Sequence, residues 1–258
     1  MPNELQFSPP FSLHGKIAWI TGGSRGIGFA IARCMIAAGA RVVLTGRNAA
    51  ALTSAQIQLG SQAYCYVHDV NDRGTHEAVT AKIEQEVGPI DILVNNAGIN
   101  MKKPALEVSD EEFDRVLLTN LQGLYTLTKV CGQRMIQRNA GVIIMISSMA
   151  AYYGIDRVPA YTAAKSAVEG LVKALAEEWS PHQLRINAIA PGFIDTPMFR
   201  QAMEADPDRR HKAFDRTPLR RFGHPEDVGW AAVFLASEAA AYINGVSLRV
   251  DGGNAIGF

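Results

Sequence analysis

Short apolar runs alternate with longer segments of helical periodicity along most of the chain. Most of these runs are continuously apolar, which is typical of strands that are covered on both faces of a sheet. The runs occupy residues 17–21 (IAWIT), 41–45 (RVVLT), 63–67 (AYCYV), 90–94 (IDILV), 141–147 (GVIIMIS), 184–190 (LRINAIA) and 246–250 (VSLRV). They predict the strands of a parallel sheet.

Helical segments separate the predicted strands. Ser109 followed by Glu112 fits a capping box and predicts a long helix that runs to about Gln137. Pro225, followed by two acidic residues, predicts a helix that runs to about Ala236. Further helices are predicted at 27–38, 49–59 and 160–180. This alternation predicts one α/β domain over residues 15–258, a doubly wound parallel sheet with helices on both faces, preceded by an N-terminal arm at 1–14.

Composition supports a globular domain and narrows its partners. The 258 residues carry 25 Lys and Arg against 25 Asp and Glu, so the formal net charge is zero. A neutral chain gives no reason to expect a nucleic-acid or anionic-membrane partner. The three cysteines lie far apart, no apolar run approaches the roughly 18 residues of a membrane span, and no signal peptide is visible. We therefore expect a cytoplasmic protein without a metal site.

The segment TGGSRGIG, residues 21–28, lies where the first strand should become the first helix. Glycines let the main chain approach a pyrophosphate, and a helix N-terminus offers free N–H donors and a partial positive charge. The spacing of Gly22, Gly26 and Gly28 differs from the usual G-x-G-x-x-G pattern. An ordinary tight turn is therefore the alternative interpretation.

The end of the second strand predicts the cofactor. NAD-preferring folds usually place an acid about 20 residues after the glycines. Residues 44–50 read LTGRNAA, with Arg47 and no acid, and Arg25 lies inside the glycine segment. Because a guanidinium group suits a 2′-phosphate, these residues predict NADP(H) as the preferred cofactor and NAD(H) as the weaker one. The alternative is a pair of solvated surface arginines.

Tyr161 and Lys165 lie four residues apart in the predicted helix at 160–180, so they share one face. A lysine ammonium group favours the phenolate and lowers the tyrosine pKa from about 10, which makes the pair a candidate general acid/base. Ser148 ends the run at 141–147, at the carboxyl end of a parallel strand, where open α/β sheets bind ligands. These three side chains form the candidate catalytic group.

In order and spacing, the motifs resemble the short-chain dehydrogenase/reductase family from about Gly15 to Gly253. The matching motifs are TGGSRGIG, DV at 69–70, NNAG at 95–98, Asn120 in LLTNLQG, SS at 147–148, YTAAK at 161–165, PGFIDTPM at 191–198 and VDGG at 250–253. The resemblance implies a Rossmann-type fold. It also implies hydride transfer between a nicotinamide and a carbon that bears a hydroxyl or carbonyl group.

The resemblance implies a role for each matching residue. Tyr161 would pass a proton to or from the substrate oxygen, and Ser148 would hydrogen-bond that oxygen. Lys165 would lower the tyrosine pKa and bind the nicotinamide ribose, and Asn120 would hold a water in a proton relay. The cofactor-binding residues would be Gly22, Ser24, Arg25, Gly26, Ile27, Gly28, Arg47, Asn48, Asp69, Val70, Asn96, Ala97, Gly98, Tyr161, Lys165, Pro191, Gly192, Ile194 and Thr196. The family also implies a homotetramer or homodimer.

The substrate is a small molecule whose class stays open. The segment near 193–224 corresponds to the family's substrate lid, and its excess of basic residues suits either an anionic substrate or a mixed solvated helix face. The main expectation is a 3-oxoacyl thioester or related ketone, as for the 3-oxoacyl-carrier-protein reductases. The alternative is a sugar-acid or polyol dehydrogenase of gluconate 5-dehydrogenase type. A third hypothesis, a dinucleotide-binding regulator without catalysis, fits poorly with an intact candidate catalytic group.

Overall fold

Seven strands form one parallel sheet in the computed structural model, which describes residues 10–204 and 206–257. The strands are β1 (Ile17–Thr21), β2 (Arg41–Gly46), β3 (Ala63–Val67), β4 (Ile92–Asn95), β5 (Gly141–Ile146), β6 (Leu184–Pro191) and β7 (Ser247–Val250). Their order across the sheet is β3-β2-β1-β4-β5-β6-β7. The chain reverses its direction of winding between β1 and β4, and such a switch point opens a crevice at the carboxyl ends of the strands.

Helices cover both faces of this sheet. They are α1 (Gly26–Ala37), α2 (Ala49–Leu59), α3 (His76–Glu86), α4 (Asp110–Leu117), α5 (Leu124–Arg138), α6 (Pro159–Trp179), α7 (Pro197–Glu204), α8 (Pro207–Asp215) and α9 (Pro225–Ala236). The sequence pattern does not single out α3, α7 or α8. The predicted capping box of Ser109 and Glu112 is confirmed at the start of α4.

The alternation of side chains along β1 explains the two layers of helices. Ala18 and Ile20 pack into one apolar cluster, with α1, α2 and α9, while Ile17 and Trp19 pack into the other, with α3, α5 and α6. All four are at most 2% exposed. Because successive side chains of a strand point to opposite faces, a strand without polar residues needs cover on both sides. The predicted doubly wound sheet is confirmed.

One predicted helix is interrupted. The segment expected to run unbroken to about Gln137 is α4, a π-helical turn over Leu118–Gly123, and α5. This wider turn packs against the loop that follows β3. A Cβ at Gly123 would lie 2.4 Å from the Val70 carbonyl oxygen. The turn also carries the buried Asn120. Single π-helical turns occur frequently at functional sites.

Part of the predicted N-terminal arm, residues 1–9, lies outside the described residues. Residues 10–14 pack on the domain rather than forming a loose extension. Leu13 is 1% exposed, and its N–H donates to the Ala38 carbonyl at 2.8 Å. The Phe11 ring lies 6.2 Å from that of Phe234 in α9. Among the described residues, no helix is long and apolar enough to span a bilayer.

Candidate active site

A cavity of 530 Å³ lies at the carboxyl ends of the strands, at the switch point. Its wall brings together most of the predicted cofactor residues: Gly22, Ser24, Arg25, Gly26, Ile27, Gly28, Arg47, Asn48, Asp69, Val70, Asn96, Ala97, Gly98, Tyr161, Lys165 and Thr196. The predicted residues that do not line it are Asn120, Ser148, Pro191, Gly192 and Ile194. Residues from sequence-distant motifs therefore share one cavity.

The glycine segment forms a sharp turn between β1 and α1. Gly22 and Gly26 have φ values of 64° and 58°, in the left-handed region that favours glycine. A Cβ at Gly28 would lie 2.6 Å from the Gly22 carbonyl oxygen, so a side chain would force the turn open. No side chain caps the start of α1, where Arg25 is the N-cap residue. The N–H groups of its first turn are thus open to an anion.

Asn96 fastens this turn to the neighbouring strand. Its Nδ2 donates to the carbonyl oxygens of Thr21 and Gly22, at 2.9 and 3.1 Å. The N–H groups of Asn96 and Ala97 both donate to the Thr21 hydroxyl at 3.0 Å. The loop after β4 and the glycine turn are therefore joined into one unit.

The end of β2 forms the basic rim of the cavity. Arg25 and Arg47 are both exposed, and neither pairs with a carboxylate within the described ranges. Asn48 already accepts a hydrogen bond from the Ala51 N–H at 2.9 Å, which caps α2. Thr45 and Gly46 complete this part of the wall. Two unpaired guanidinium groups with no acid between them fit a phosphate monoester.

The loop after β3 contributes residues that motif analysis missed. His68 and Asn71 line the cavity on either side of the predicted Asp69–Val70 pair. Their position directly after a predicted strand is the signal that could have found them. His68 is 5% exposed, and burial, with the nearby His76, lowers the pKa of its imidazole to about 4. His68 is consequently neutral at physiological pH.

Other wall residues not predicted as cofactor ligands are Thr45, Gly46, Ala51, Thr119, Ile146, Pro197 and Gln201. Thr45 and Gly46 lie at the end of β2, so the same strand-end signal applies to them. Thr119 precedes the predicted Asn120. Gln201 lies in α7, and its approach to the cavity depends on how the lid folds over the sheet.

Tyr161 and Lys165 lie on one face of α6, as predicted. The Lys165 Nζ is 5.6 Å from the centre of the Tyr161 ring. Lys165 is 3% exposed and donates from Nζ to the Ile146 carbonyl at 2.6 Å, at the end of β5. Burial lowers the pKa of Lys165 to about 8, and Glu169 opposes this shift. The ammonium group therefore still dominates at neutral pH.

The pKa of Tyr161 differs from the expectation. Burial raises the pKa of this phenol, and a hydrogen bond with the Ser148 side chain lowers it in part. The predicted lowering of the Tyr161 pKa by Lys165 does not outweigh burial, and the Lys165 ammonium group donates to the Ile146 carbonyl. Tyr161 is thus a protonated hydroxyl in this structure, suited to donating its proton.

Ser148 and Asn120 do not line the cavity. Ser148 lies two residues after the end of β5. Its Oγ accepts a hydrogen bond from the Ala150 N–H at 3.1 Å. Asn120 is fully buried and clamps the main chain of Ile99, accepting from its N–H at 2.8 Å and donating to its carbonyl at 2.7 Å. A Cβ at Gly98 would lie 3.1 Å from the Asn120 Oδ1 and 3.8 Å from the Lys165 Nζ. Asn120 therefore lies close to the catalytic lysine candidate.

The segment after β6 meets the cavity at one predicted residue. Thr196 lines the wall and accepts from the Phe199 N–H at 3.1 Å, which starts the lid. Ile194, expected to face the cofactor, is instead 5% exposed within the core cluster. The Gly192 N–H donates to the Val250 carbonyl at 2.9 Å, so Pro191 and Gly192 continue the sheet's pairing with β7. Strand pairing turns these residues away from the cavity.

The ion pairs of the segment near 193–224 leave its basic excess unchanged. Arg200 with Asp195 and Arg220 with Asp215 pair within the segment, Arg221 pairs with Asp227 of α9, and Asp206 pairs with Lys102 of the β4 loop. Phe193, Phe199, Phe222 and Phe214 form a row of ring contacts in the same segment. Over the described residues there is no group of three metal-ligating side chains.

The cavity fits a dinucleotide that carries an extra phosphate. A turn that excludes any Cβ, open N–H groups at α1 and an unpaired basic rim meet the demands of a pyrophosphate and a 2′-phosphate. When bound, such a cofactor supplies the hydride acceptor or donor, which no side chain can provide.

Comparison with known proteins agrees with this site. A family model described as enoyl-(acyl carrier protein) reductase matches residues 22–255. The chain is 41% identical to gluconate 5-dehydrogenase of Gluconobacter oxydans, over 94% of this chain and 96% of that one, and 36% identical to a 3-oxoacyl-[acyl-carrier-protein] reductase of Thermotoga maritima, over 93% and 98%.

A solved relative shares the whole fold. The gluconate 5-dehydrogenase of Burkholderia cenocepacia, crystallised with NADP and tartrate, superposes with a TM-score of 0.92 at 33% identity, covering 96% of this chain and 98% of that one. The sheet, the cavity and these matches together establish that the chain belongs to the short-chain dehydrogenase/reductase family and is an oxidoreductase of that family.

Proposed function

We propose that the chain is an NADP(H)-dependent oxidoreductase that interconverts a secondary alcohol and a ketone on a sugar acid or related polyol. One observation carries this proposal: Tyr161 and Lys165 line the same cavity as the glycine turn and the basic rim. A proton-transferring pair next to a dinucleotide site is the arrangement that alcohol–ketone interconversion requires.

Each part of the cavity has a separate task in this proposal. The N–H groups at the start of α1 bind the pyrophosphate, and Arg47 with Arg25 binds the 2′-phosphate. Lys165, held by the Ile146 carbonyl, presents its remaining N–H donors to the ribose hydroxyls. The fixed glycine turn and β4 loop keep these groups in place without rearrangement.

Proton transfer falls to Tyr161. Because burial raises its pKa, the phenol holds its proton at neutral pH and donates it to the ketone oxygen during reduction. The Ser148 hydroxyl hydrogen-bonds the same substrate oxygen. Asn120 is hydrogen-bonded to the Ile99 main chain and lies close to Lys165, so it fixes the π-helical turn next to the lysine. A water-mediated proton path from Tyr161 would end there.

The substrate proposal departs from the main expectation. Identity to the gluconate 5-dehydrogenase exceeds that to the 3-oxoacyl-carrier-protein reductase, 41% against 36%. The solved relative binds tartrate, a hydroxy acid, together with NADP. These findings favour a sugar acid over a carrier-bound thioester.

A substrate panel tests this proposal. Purified protein is assayed for NADPH oxidation with 5-ketogluconate, other keto acids, keto sugars, diketones and acetoacetyl thioesters, and for NADP reduction with gluconate. We expect turnover with the sugar acids at a kcat/KM at least tenfold above that with the thioester. The opposite ranking would restore the thioester hypothesis, and NADPH binding without any turnover would favour the regulator.

We also propose a homotetramer. Ala163, Ser166 and Gly170, spaced three and four residues apart, leave an exposed stripe of small side chains on α6, and a Cβ at Gly170 would meet nothing within 4 Å. Such a stripe allows a second helix to approach closely. Tyr125 of α5 and Trp230 of α9 add exposed apolar surface, 42% and 54% exposed.

A further inference from the structure

One buried side chain in the C-terminal tail, residues 251–257, joins two segments beside the candidate active site. Asn254 has no solvent exposure. Its Nδ2 donates to the Thr217 hydroxyl at 3.0 Å, and its Oδ1 accepts from the Tyr153 hydroxyl. Thr217 follows the lid helix α8, whereas Tyr153 belongs to the turn that begins at Ser148. The two segments are far apart in sequence and meet at this amide.

Arg216 strengthens the same junction. Its Nε donates to the Asn254 main-chain carbonyl at 3.1 Å. The guanidinium carbon of Arg216 lies 4.1 Å from the centre of the Tyr153 ring, within the range of a cation–π contact. The main chain of Asn254 is thus bound to the segment that follows α8, and its side chain is bound to both segments.

The tail is shaped to hold Asn254 in place. Gly253 has a φ of 84°, and a Cβ there would lie 3.0 Å from the Pro218 ring. The Asp251 carboxylate accepts from the N–H groups of Gly253 and Ala255, at 3.0 and 2.7 Å. The turn that presents the amide is therefore fixed by the Asp251 carboxylate and packs closely against Pro218.

The Ser148 turn is compact, so movement at one end reaches the other. The Ser148 Oγ accepts from the Ala150 N–H at 3.1 Å, and the Tyr153 N–H donates to the Met149 carbonyl at 3.3 Å. Met149 is 2% exposed. The Tyr153 hydroxyl connects the far end of this short turn to Asn254.

We propose that Asn254 is a positioning residue for the substrate, because it fixes the Ser148 turn against the base of the lid. An asparagine suits this task, since its amide offers an acceptor and a donor at once. Because Asn254 is fully buried, the hydrogen bonds of its amide are costly to lose. Asn254 does not line the cofactor cavity, so its effect falls on the substrate side of the site.

The kinetic test uses Asn254→Ala and Asn254→Asp in the full-length protein. We expect Asn254→Ala to raise the substrate KM about tenfold, the effect of losing one to two buried hydrogen bonds, and to leave the Kd of NADPH within about twofold. Asn254→Asp keeps the acceptor for the Tyr153 hydroxyl, so it should recover part of the substrate KM. The Kd is measured by fluorescence quenching.

Asn187→Ala is the matched control. Asn187 of β6 is also fully buried, with its Nδ2 donating to the Ile243 carbonyl at 2.9 Å and its Oδ1 accepting from the Val246 N–H at 3.1 Å. It loses the same number of bonds away from the Ser148 turn. We expect this control to lower the Tm without changing the substrate KM. Equal KM increases in both variants would reduce Asn254 to a general stabilising role.

Hydrogen exchange gives a readout that needs no substrate. In Asn254→Ala we expect faster amide exchange in both 149–157 and 210–217, with no change at 22–28. The kinetic arm rests on the alcohol–ketone activity proposed above, whereas exchange remains decisive if the sugar-acid assay fails. Faster exchange confined to the tail, or a loss of NADPH affinity equal to that of substrate, would overturn the proposal.

Discussion

The basic rim at the end of β2 predicts that a single substitution, Gly46→Asp, reverses the cofactor preference. A Cβ at Gly46 would lie 3.9 Å from its nearest neighbours, the Leu52 Cδ2 and the Ser24 Oγ, so the new side chain fits without repacking. The backbone of Gly46 is not in the left-handed region. Any effect on cofactor choice is therefore electrostatic rather than steric.

The magnitude follows from the charges at this rim. A carboxylate about 5 Å from a phosphate charge is repelled by about 3 kcal/mol at an effective dielectric constant of about 20, and by about 0.8 kcal/mol in bulk water. Arg47 is exposed, so the repulsion falls between these limits. Because about 1.4 kcal/mol is a factor of ten, we expect NADPH to lose about 10- to 100-fold in affinity. The carboxylate can also bind the ribose hydroxyls of NADH.

The assay is kcat/KM with NADPH and with NADH, together with the Kd of each cofactor. Wild type should favour NADPH by about 10- to 100-fold, the worth of one or two charge-assisted hydrogen bonds. Arg47→Ala should weaken NADPH far more than NADH, whereas Arg25→Ala should affect both, since Arg25 lies in the glycine turn. Gly46→Asn is the matched uncharged control and should keep the preference. A reversal in Gly46→Asn, or equal values in wild type, would refute the electrostatic explanation.

Four more predictions concern the glycine turn, the proton donor, the pH dependence of stability and the oligomeric state. Tyr161→Phe should lower kcat by about 10²- to 10⁴-fold with unchanged NADPH binding; a near-wild-type rate would exclude Tyr161 as proton donor. Gly28→Ala should abolish NADPH binding, measured by calorimetry. The new Cβ would lie 2.5 Å from the Asn96 Nδ2 and 2.6 Å from the Gly22 carbonyl oxygen. Retained NADPH affinity would contradict this geometry. The depressed pKa of His68, about 4 when folded and about 6.5 when unfolded, contributes stability above pH 6.5 that is lost as pH falls towards 4. The free energy of unfolding, measured with urea, should fall by on the order of 3 kcal/mol over this pH range. His68→Phe should flatten this pH dependence. An unchanged dependence in the variant would assign the loss of stability to other groups. Light scattering at micromolar concentration should give a tetramer, and a monomer would rule out the α6 interface.

Most of the fold could be predicted from local patterns. Continuous apolar runs such as 17–21 are buried on both faces, so their hydrophobicity alone indicates a covered parallel sheet. Glycine spacing and the Tyr161–Lys165 interval are local features too, and they place two parts of the site before any contact is known. Ser109 caps its helix as expected, because a cap depends on residues within one turn.

Local patterns do not predict features that depend on contacts between segments distant in sequence. The π-helical turn at Leu118–Gly123 forms where the helix meets the Val70 carbonyl, and the orientation of Ile194 into the core follows from the pairing of its segment with neighbours. The raised pKa of Tyr161 reflects burial, which its spacing from Lys165 does not encode.

Ion pairing in the segment near 193–224 shows the same division. Arg200 pairs with Asp195, five residues away in sequence, whereas Asp206 pairs with Lys102, which only folding brings to it. Asn254 belongs to none of the recognised motifs. The role proposed for it arises because the tail, the lid and the Ser148 turn meet at its buried amide. Local chemistry follows from residue order, whereas burial, charge pairing and convergence depend on long-range contacts that exist only once the chain has folded.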